Sequence, residues 1–476
     1  MLFNSLEFIA FLPLVFAIYW GINGGHLRLQ NAFVLLASYV FYGWWDYRFL
    51  ILIVASTVVD FVLGLLLGSG VSSKTRKYCL AASLVFNLGL LGIFKYFNFF
   101  AESLIAAFDS VGVTLSAVTI SVILPVGISF YTFQTLSYTL DVYKRNLRPT
   151  KDFVAFASFV AFFPQLVAGP IERASNLLPQ FLTKRKFDYK CAVDGCRQIL
   201  WGFAKKIIVA DNCAVAANTI FGDYESMHPA ALVLGMVFFA FQIYCDFSGY
   251  SDIAIGVARL FGFELMTNFR YPYFSRDIGE FWRRWHISLS TWFRDYVYIP
   301  LGGSRGGKTK VIRNVFAIFL LSGLWHGANW TFISWGAINA LYFLPLLLRS
   351  KNRDHLDTVS AGRLFPTLAD GFRILRTFSL VCLGWVFFRA ETIDQAVYYI
   401  SGLFTQWENP FSFDEAFPLL YILPLFVAEW SQRNESYPLA KPFKSTPLRW
   451  AVYLGVAVSI VVFSSKDQMT FIYFQF

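Results

Sequence analysis

The sequence predicts an all-α integral membrane protein with about 11–12 membrane-spanning helices. Three observations predict it. Hydrophobic residues make up 57% of the 476-residue chain, and mean hydropathy is +0.53. Charged residues are only 15%, against roughly 25% in an ordinary soluble domain. The apolar runs are continuous and long, as in LILIVASTVVDFVLGLLL at 50–67. A soluble fold cannot hide so much apolar surface. Low charge and 19% aromatic content exclude disorder. A membrane β-barrel would alternate apolar and polar residues over about ten positions, and these runs do not.

Charge orients the spans. Basic clusters stand at Lys74/Arg76/Lys77, Lys144/Arg145/Arg148/Lys151, Lys184/Arg185/Lys186/Lys190, Arg305/Lys308/Lys310 and Arg349/Lys351/Arg353. Cytoplasmic loops of membrane proteins collect positive charge, so all five are assigned there. The same rule accounts for the net charge of +10 without nucleic acid. The first eight residues carry Glu7 and no Lys or Arg, so no cleavable signal is expected and the first apolar run is read as a span.

Taken in order, spans are expected near 5–21, 31–46, 49–68, 78–98 and 117–140. The run at 152–170 is broken by Pro164, Gly169 and Pro170. A full crossing there would put the next basic cluster outside. It is therefore read as re-entrant, with its freed backbone groups satisfied inside protein. Spans near 197–218 and 229–257 follow. Residues 311–348 divide into two short spans around Gly323–Gly327. The last spans are expected near 372–390, 415–431 and 448–464. Segment 268–310 interleaves charged and aromatic residues and suits amphipathic helices at or dipping into the membrane face. No repeat divides the chain, so residues 1–476 are read as a single polytopic domain.

Few residues can carry chemistry. The cysteines (79, 191, 196, 213, 245 and 382) lack metal-ligand spacing and read as packing residues, so no metal is expected. Of five histidines, His26, His228 and His355 lie in expected loops. His326, in LLSGLWHGANWTFISWG, lies inside a membrane run. An ionisable residue at that depth is expensive and marks function, unless it only bonds two helices together. Gly323, Gly327 and Ala328 leave room for a substrate beside it. Asn329, three residues on, can fix the imidazole tautomer or donate to an oxyanion. Trp325 and Trp330 can wall a dry pocket. His286, flanked by Arg283 and Arg284, is either an interfacial anchor or part of a basic mouth for a phosphate-bearing donor. Asp246 and Asp252 flank FSGYS, and Asp141 follows Gln134. These acids fit a proton relay or ion site as well as they fit polar pairs between helices. Gly302, Gly307, Lys308 and Thr309 match the nucleotide-binding GxxxxGK[ST] pattern. A phosphate loop needs a buried parallel sheet behind it, so this is read as a glycine-rich cytoplasmic loop. The sequon Asn329-Trp330-Thr331 falls in an expected span and is read as inaccessible.

Four stretches together resemble the membrane-bound O-acyltransferase (MBOAT) family, in its bacterial alginate O-acetylation branch. They are LPVGISFYTFQTLSYTLDVYK (124–144), FFPQLVAGPIER (162–173), FQIYCDFSGYSDIAIGVARLFGF (241–263) and NFRYPYFSRDIGEFWRRWHISLSTWFRDYVYIPLGG (268–303). SGLWHGANWTFISWG (322–336) adds the family's histidine motif. The motif core covers about 120–345. The resemblance implies a ring of membrane helices with re-entrant and interfacial helices around a thinned centre. It implies His326 and His286 as catalytic residues. Arg283, Arg284, Trp325, Asn329, Gln134, Ser248 and Asp252 are the candidates for substrate binding. It implies acetyl-CoA as acyl donor with no bound cofactor, and localisation in the bacterial inner membrane. It also implies a polysaccharide acceptor (alginate, peptidoglycan or another exopolysaccharide). No expected outer loop is long enough to bind a glycan, so a periplasmic or membrane-anchored acetyltransferase is the expected partner. Two other classes compete: a secondary transporter or flippase for a polysaccharide precursor, and a scaffold in which His326 is structural. Only an acyltransferase consumes acetyl-CoA in a His326-dependent way.

Overall fold

The computed structural model describes all residues except 23–25, 117–118, 121–122, 168, 465–470 and 473–476. Among the described residues there is helix and no strand. Contacts group into two compact units: residues 1–193 with 257–266, and residues 194–256 with 267–476. Five helical stretches are long and apolar enough to cross a bilayer: Leu27–Gly68, Ser73–Asp109, Pro229–Leu260, Trp330–Leu348 and Leu368–Arg389. Shorter apolar helices at Leu6–Gly21, Phe153–Leu166 and Thr446–Val462 fit a thinner apolar layer.

The first unit begins with α1 (Leu6–Gly21), α2 (Leu27–Asp46), α3 (Leu50–Gly68) and α4 (Ser73–Leu91). A π-helical stretch leads into α5 (Phe97–Asp109), followed by α6 (Ile128–Tyr143), α7 (Phe153–Val160), α8 (Phe163–Leu166) and α9 (Ala174–Phe181). Large apolar side chains such as Leu14, Ile51 and Val85 are exposed on these helices, as hydrocarbon permits and water does not. The helices are joined by polar contacts, since apolar association alone gains little in lipid. Asp60 on α3 is fully buried and accepts from Ser83 (2.5 Å) and Asn87 (2.8 Å) on α4 and from Thr139 on α6 (2.8 Å). Arg185, expected in a solvated loop, is instead buried and donates to Asn31 (2.6 Å) and Tyr19 (2.5 Å).

Two expectations meet different outcomes here. The 152–170 segment is broken into α7 and α8, and both are buried, as a re-entrant reading requires. Among its described residues, the run at 117–140 is helical from Ile128. Residues 117–118 and 121–122 of that run lie outside the described residues. Pro125 removes a donor, and Gly127 at φ +75° stands where the helix would have to begin. Upstream, the Asn98 side chain takes both the N–H and the carbonyl of Ile120 at 3.0 Å, replacing helical partners.

The second unit is entered through α10 (Tyr189–Phe203), a π-helical stretch at Ala204–Ala210 and α11 (Asp211–Gly222). The central helix α12 (Pro229–Leu260) has 32 residues. At 1.5 Å per residue it is about 48 Å long, more than a bilayer core. Short helices α13 (Ile278–Arg284) and α14 (Ile287–Phe293) follow. They are mostly buried rather than laid on a face. Then come α15 (Lys308–His326), α16 (Trp330–Leu348), α17 (Leu368–Arg389), α18 (Ile393–Thr405), α19 (Leu419–Ser431) and α20 (Thr446–Val462). The GxxxxGK[ST] match lies on turns between a π-helical stretch and α15, with no strand before it.

α10 meets α12 through glycines. A Cβ at Gly202 would stand 2.6 Å from the Gly249 carbonyl oxygen, and one at Gly249 would stand 2.7 Å from the Gly202 oxygen. Small residues at such a crossing let backbones touch. Gly249→Ala is therefore expected to destabilise the detergent-solubilised protein by about 1–3 kcal/mol, the scale of core overpacking. Thermal unfolding checks this. An unchanged midpoint would show that the crossing relaxes freely.

Candidate active site

Two helix signals set His326 in place. α15 stops because Gly327 is extended (φ −158°), and α16 starts at Asn329, whose side chain accepts from the Thr331 N–H at 3.0 Å. His326 is the last helical residue of α15. Its ring packs at 5.0 Å on Trp325, 5.2 Å on Trp335 and 5.2 Å on Phe388.

His286 reaches the same place from the α13–α14 hairpin. Asp277 caps α13 by accepting from the Glu280 N–H at 2.7 Å. His286 is the residue between α13 and α14 that caps the second helix, held at φ +42°. It is buried among Phe247 (4.7 Å between ring centres), Phe269 (6.3 Å) and Trp325 (5.9 Å). Its ring centre is 6.3 Å from that of His326. Burial pushes the His286 imidazole down to about 3, so the ring is neutral at physiological pH. Burial of this kind favours the uncharged ring, a hydrogen-bonding group, in the same cavity as Arg283, Arg294 and Arg353.

Both histidines line one cavity of about 300 Å³. One wall is apolar, with Leu289, Phe293, Val315 and Phe319. Trp282, Ile318, Phe343 and Leu347 add to the apolar lining, and a polar, basic part extends to Arg283, Arg294, Ser304, Asn352 and Arg353. Arg283 borders the cavity but is also spent on structure: it donates to the carbonyls of Asn352 (2.6 Å) and His355 (2.7 Å). Arg276, Glu280 and Arg284 form an i, i+4 ladder, and Arg276 reaches Asp357 at 2.8 Å. The α13 arginines thus strap the 352–357 loop in position, and that loop supplies Asn352 and Arg353 to the cavity. Neither histidine pairing nor these straps could be read from local sequence, since the loop is about 70 residues downstream.

Other expected site residues go elsewhere. Arg284 is paired with Glu280 at 2.8 Å and does not line the cavity. Asn329 donates to the Glu391 carbonyl at 2.9 Å while capping α16, so it does not hold the His326 ring. Gly323 and Gly327 do not leave room for substrate: a Cβ at either would collide with Phe332 of α16. Their space belongs to helix packing. Trp325 packs on both imidazoles but does not line the cavity, so it does not wall it as expected, and Trp330 does not line it either. Gln134 lies in the first unit, buried, donating to the Phe159 carbonyl at 2.5 Å.

Ser248 and Asp252 line a second, small cavity of about 20 Å³ with Lys205, Glu429 and Asn268. Lys205 binds Asp252 at 2.6 Å and Ser248 at 2.9 Å. Lys206 binds both Asp246 and Asp211 at 2.8 Å. The two acids of the FSGYS stretch are therefore ion-paired with adjacent lysines of the π-helical turn. The lysines were missed as partners because adjacent residues on a regular helix do not face one neighbour; a widened turn changes that.

The second unit thus holds two buried histidines on one cavity. Residues 131–383 match the model of the MBOAT, membrane-bound O-acyltransferase family. The chain is 42% identical to the "Probable alginate O-acetylase AlgI" of Azotobacter vinelandii over 85% of its length and 78% of the relative's. It is 38% identical to the protein of the same name from Pseudomonas putida over the whole of both chains. It is 35% identical to the "Peptidoglycan O-acetyltransferase" of Helicobacter pylori over 85% of this chain and 80% of that one. The chain belongs to the membrane-bound O-acyltransferase family, in its alginate O-acetylase-like branch, and is a multi-pass membrane O-acyltransferase.

Proposed function

We propose that this chain takes acetyl from cytoplasmic acetyl-CoA and passes it across the bacterial inner membrane for O-acetylation of an extracytoplasmic polysaccharide. One observation carries the reading. The cavity that holds His326 and His286 extends to Arg353 and Ser304, in or beside the basic segments at 349–353 and 305–310. Positive-inside bias gives those segments to the cytoplasm. A phosphate-bearing thioester would be held at the Arg283, Arg294 and Arg353 end, with its acyl group reaching the histidines. The relatives' names supply the acceptor class: alginate, peptidoglycan or a similar glycan.

The chemistry is a transfer from thioester to alcohol. A hydroxyl is a poor nucleophile at neutral pH. His326 takes its proton as the oxygen attacks the thioester carbonyl. The C–S bond breaks as the C–O bond forms, and the proton passes to the leaving thiolate. His326 can instead carry the acyl group transiently: a C–N bond to the imidazole forms as the C–S bond breaks and the thiol leaves, and that C–N bond then breaks as the hydroxyl oxygen forms the C–O bond and gives up its proton. General-base assistance of this kind is worth about 10²–10⁴-fold. In this reading the attacking hydroxyl is a serine of the periplasmic or membrane-anchored partner, which then passes the acetyl group to a glycan hydroxyl. The transporter alternative is weakened because Asp246 and Asp252, its relay candidates, are neutralised by Lys206 and Lys205.

Membrane vesicles supplied with radiolabelled acetyl-CoA on the cytoplasmic face test this. Label is expected on the opposite side, on a partner protein or glycan. No consumption of acetyl-CoA, with the chain abundant, overturns the donor. Continued glycan acetylation in a strain lacking every periplasmic acetyltransferase overturns the partner.

A further inference from the structure

His286 stands on strained backbone. A histidine at φ +42° persists only where its surroundings hold it. Segment 268–270 does so from both sides. The Ile287 N–H donates to the Asn268 carbonyl at 2.8 Å, and the Arg270 N–H donates to the Arg284 carbonyl at 3.0 Å.

The Asn268 side chain, fully buried, completes the clasp. Its orientation follows from its neighbours. Oδ1 accepts from the Ser288 backbone N–H at 3.4 Å and from the Ser288 hydroxyl at 2.9 Å. A backbone N–H can only donate, so the atom facing it is the oxygen. Nδ2 is then left to donate to the Ser251 hydroxyl, at 3.2 Å. His286 Nδ1 lies 3.1 Å from that same Oδ1. An amide oxygen cannot donate, so the hydrogen of this bond belongs to Nδ1. The ring's other nitrogen is then the acceptor.

We propose that Asn268 is a positioning residue that locks His286 in the Nδ1–H tautomer and so presents Nε2 as a hydrogen-bond acceptor in the reaction cavity. Asn268 does not border that cavity, whereas His286 does, so the ring edge opposite Asn268 is the one turned toward it. An acceptor at that point orients a substrate hydroxyl beside His326. Besides His286, the charged and titratable groups around the cavity are His326 from α15, Arg283 on α13, Arg294 and Tyr298 after α14 and Arg353 on the 352–357 loop. Among the described residues no acid lines it, so nothing there favours an imidazolium. The low value that burial gives His286 agrees with a neutral acceptor ring. The consequence for turnover rests on the acyltransferase reading above; the tautomer itself does not.

The test uses the full-length chain, purified and labelled with [15N]histidine. The His286 ring resonances are assigned by their loss in His286→Gln. The wild type is expected to show the Nδ1–H pair. Asn268→Ala is expected to lose that preference and lower kcat by about 10²-fold, at the low end of general-base effects, with KM for acetyl-CoA unchanged. Asn268→Asp keeps the acceptor, so it is expected to keep the tautomer and recover most of kcat. Its added charge lies within hydrogen-bond reach of the ring, so the acid limb of the rate profile is expected to rise by about 1–3 pH units. A merely structural role would not move that limb. An Nε2–H ring in the wild type overturns the inference, as does an Asn268→Ala protein with wild-type kcat and pH profile. The resonance measurement needs no turnover. A chain with the Nδ1–H ring but no acetyl transfer would therefore sink the functional reading and leave the tautomer standing.

Discussion

Cells carrying His326→Ala are expected to lose base-labile acetate from one glycan fraction while the protein stays in the membrane. The imidazole is buried against Trp325, Trp335 and Phe388, so it is dry and held in one orientation. Removing it takes away the group proposed to accept the hydroxyl proton, for an expected loss of about 10²–10⁴-fold. At that level, acetate falls below what purified peptidoglycan or exopolysaccharide would show. The truncation also leaves a hole among three aromatic rings, which alone could lower abundance. Immunoblotting must therefore match protein levels, and His326→Gln supplies a variant that refills most of the hole. Both variants are expected to be inactive at normal abundance. The fraction that loses acetate also identifies the acceptor class. Unchanged acetate in every fraction, with the protein abundant, would remove His326 from catalysis and return weight to a transport role.

The two histidines could be singled out in the sequence, His326 because it stands inside a membrane run and His286 through the family resemblance, but that they share one cavity could not be read there. Nor was the supporting shell legible. Asn268 is 18 positions before His286, and nothing local marks it; the left-handed Tyr271 (φ +49°) helps turn the chain back. Arg283 and Arg284 read as a basic mouth because composition cannot tell a phosphate ligand from a strap. In the fold, Arg284 is consumed by Glu280 and Arg283 by two loop carbonyls. Gly323 and Gly327 suggested empty space, yet small residues serve close helix packing equally well, and α16 fills that space. Helix positions were mostly legible from hydropathy, and five of the helical stretches are long and apolar enough to cross a bilayer. Hydropathy placed the start of the helix too early at 123–127, because it does not register a missing donor at Pro125 or a left-handed Gly127.

Lys206→Met is expected to cost about 3–5 kcal/mol, the effect of leaving buried charges without their counter-ion. Lys206 is 2% exposed, and its ammonium is the counter-charge to both Asp211 and Asp246. Asp246 also accepts from the Ile472 N–H at 2.7 Å, so the pair ties α12 to the chain's last described residues. Methionine matches the aliphatic stem but leaves two carboxylates facing each other in a dry place. One must take up a proton or draw in water, and either weakens the joint between α12 and the π-helical turn. Lys206→Met combined with Asp246→Asn is expected to recover part of the loss, because one unpaired charge is gone. Thermal unfolding of the purified protein measures both. Activity per folded molecule then separates a strut from a relay. A strut predicts less protein of normal specific activity. A proton relay predicts normal amounts of an inactive protein, since the relay's task is transfer and not cohesion. Full stability with lost activity would therefore overturn the structural assignment of Asp246 and put the FSGYS acids back into the reaction.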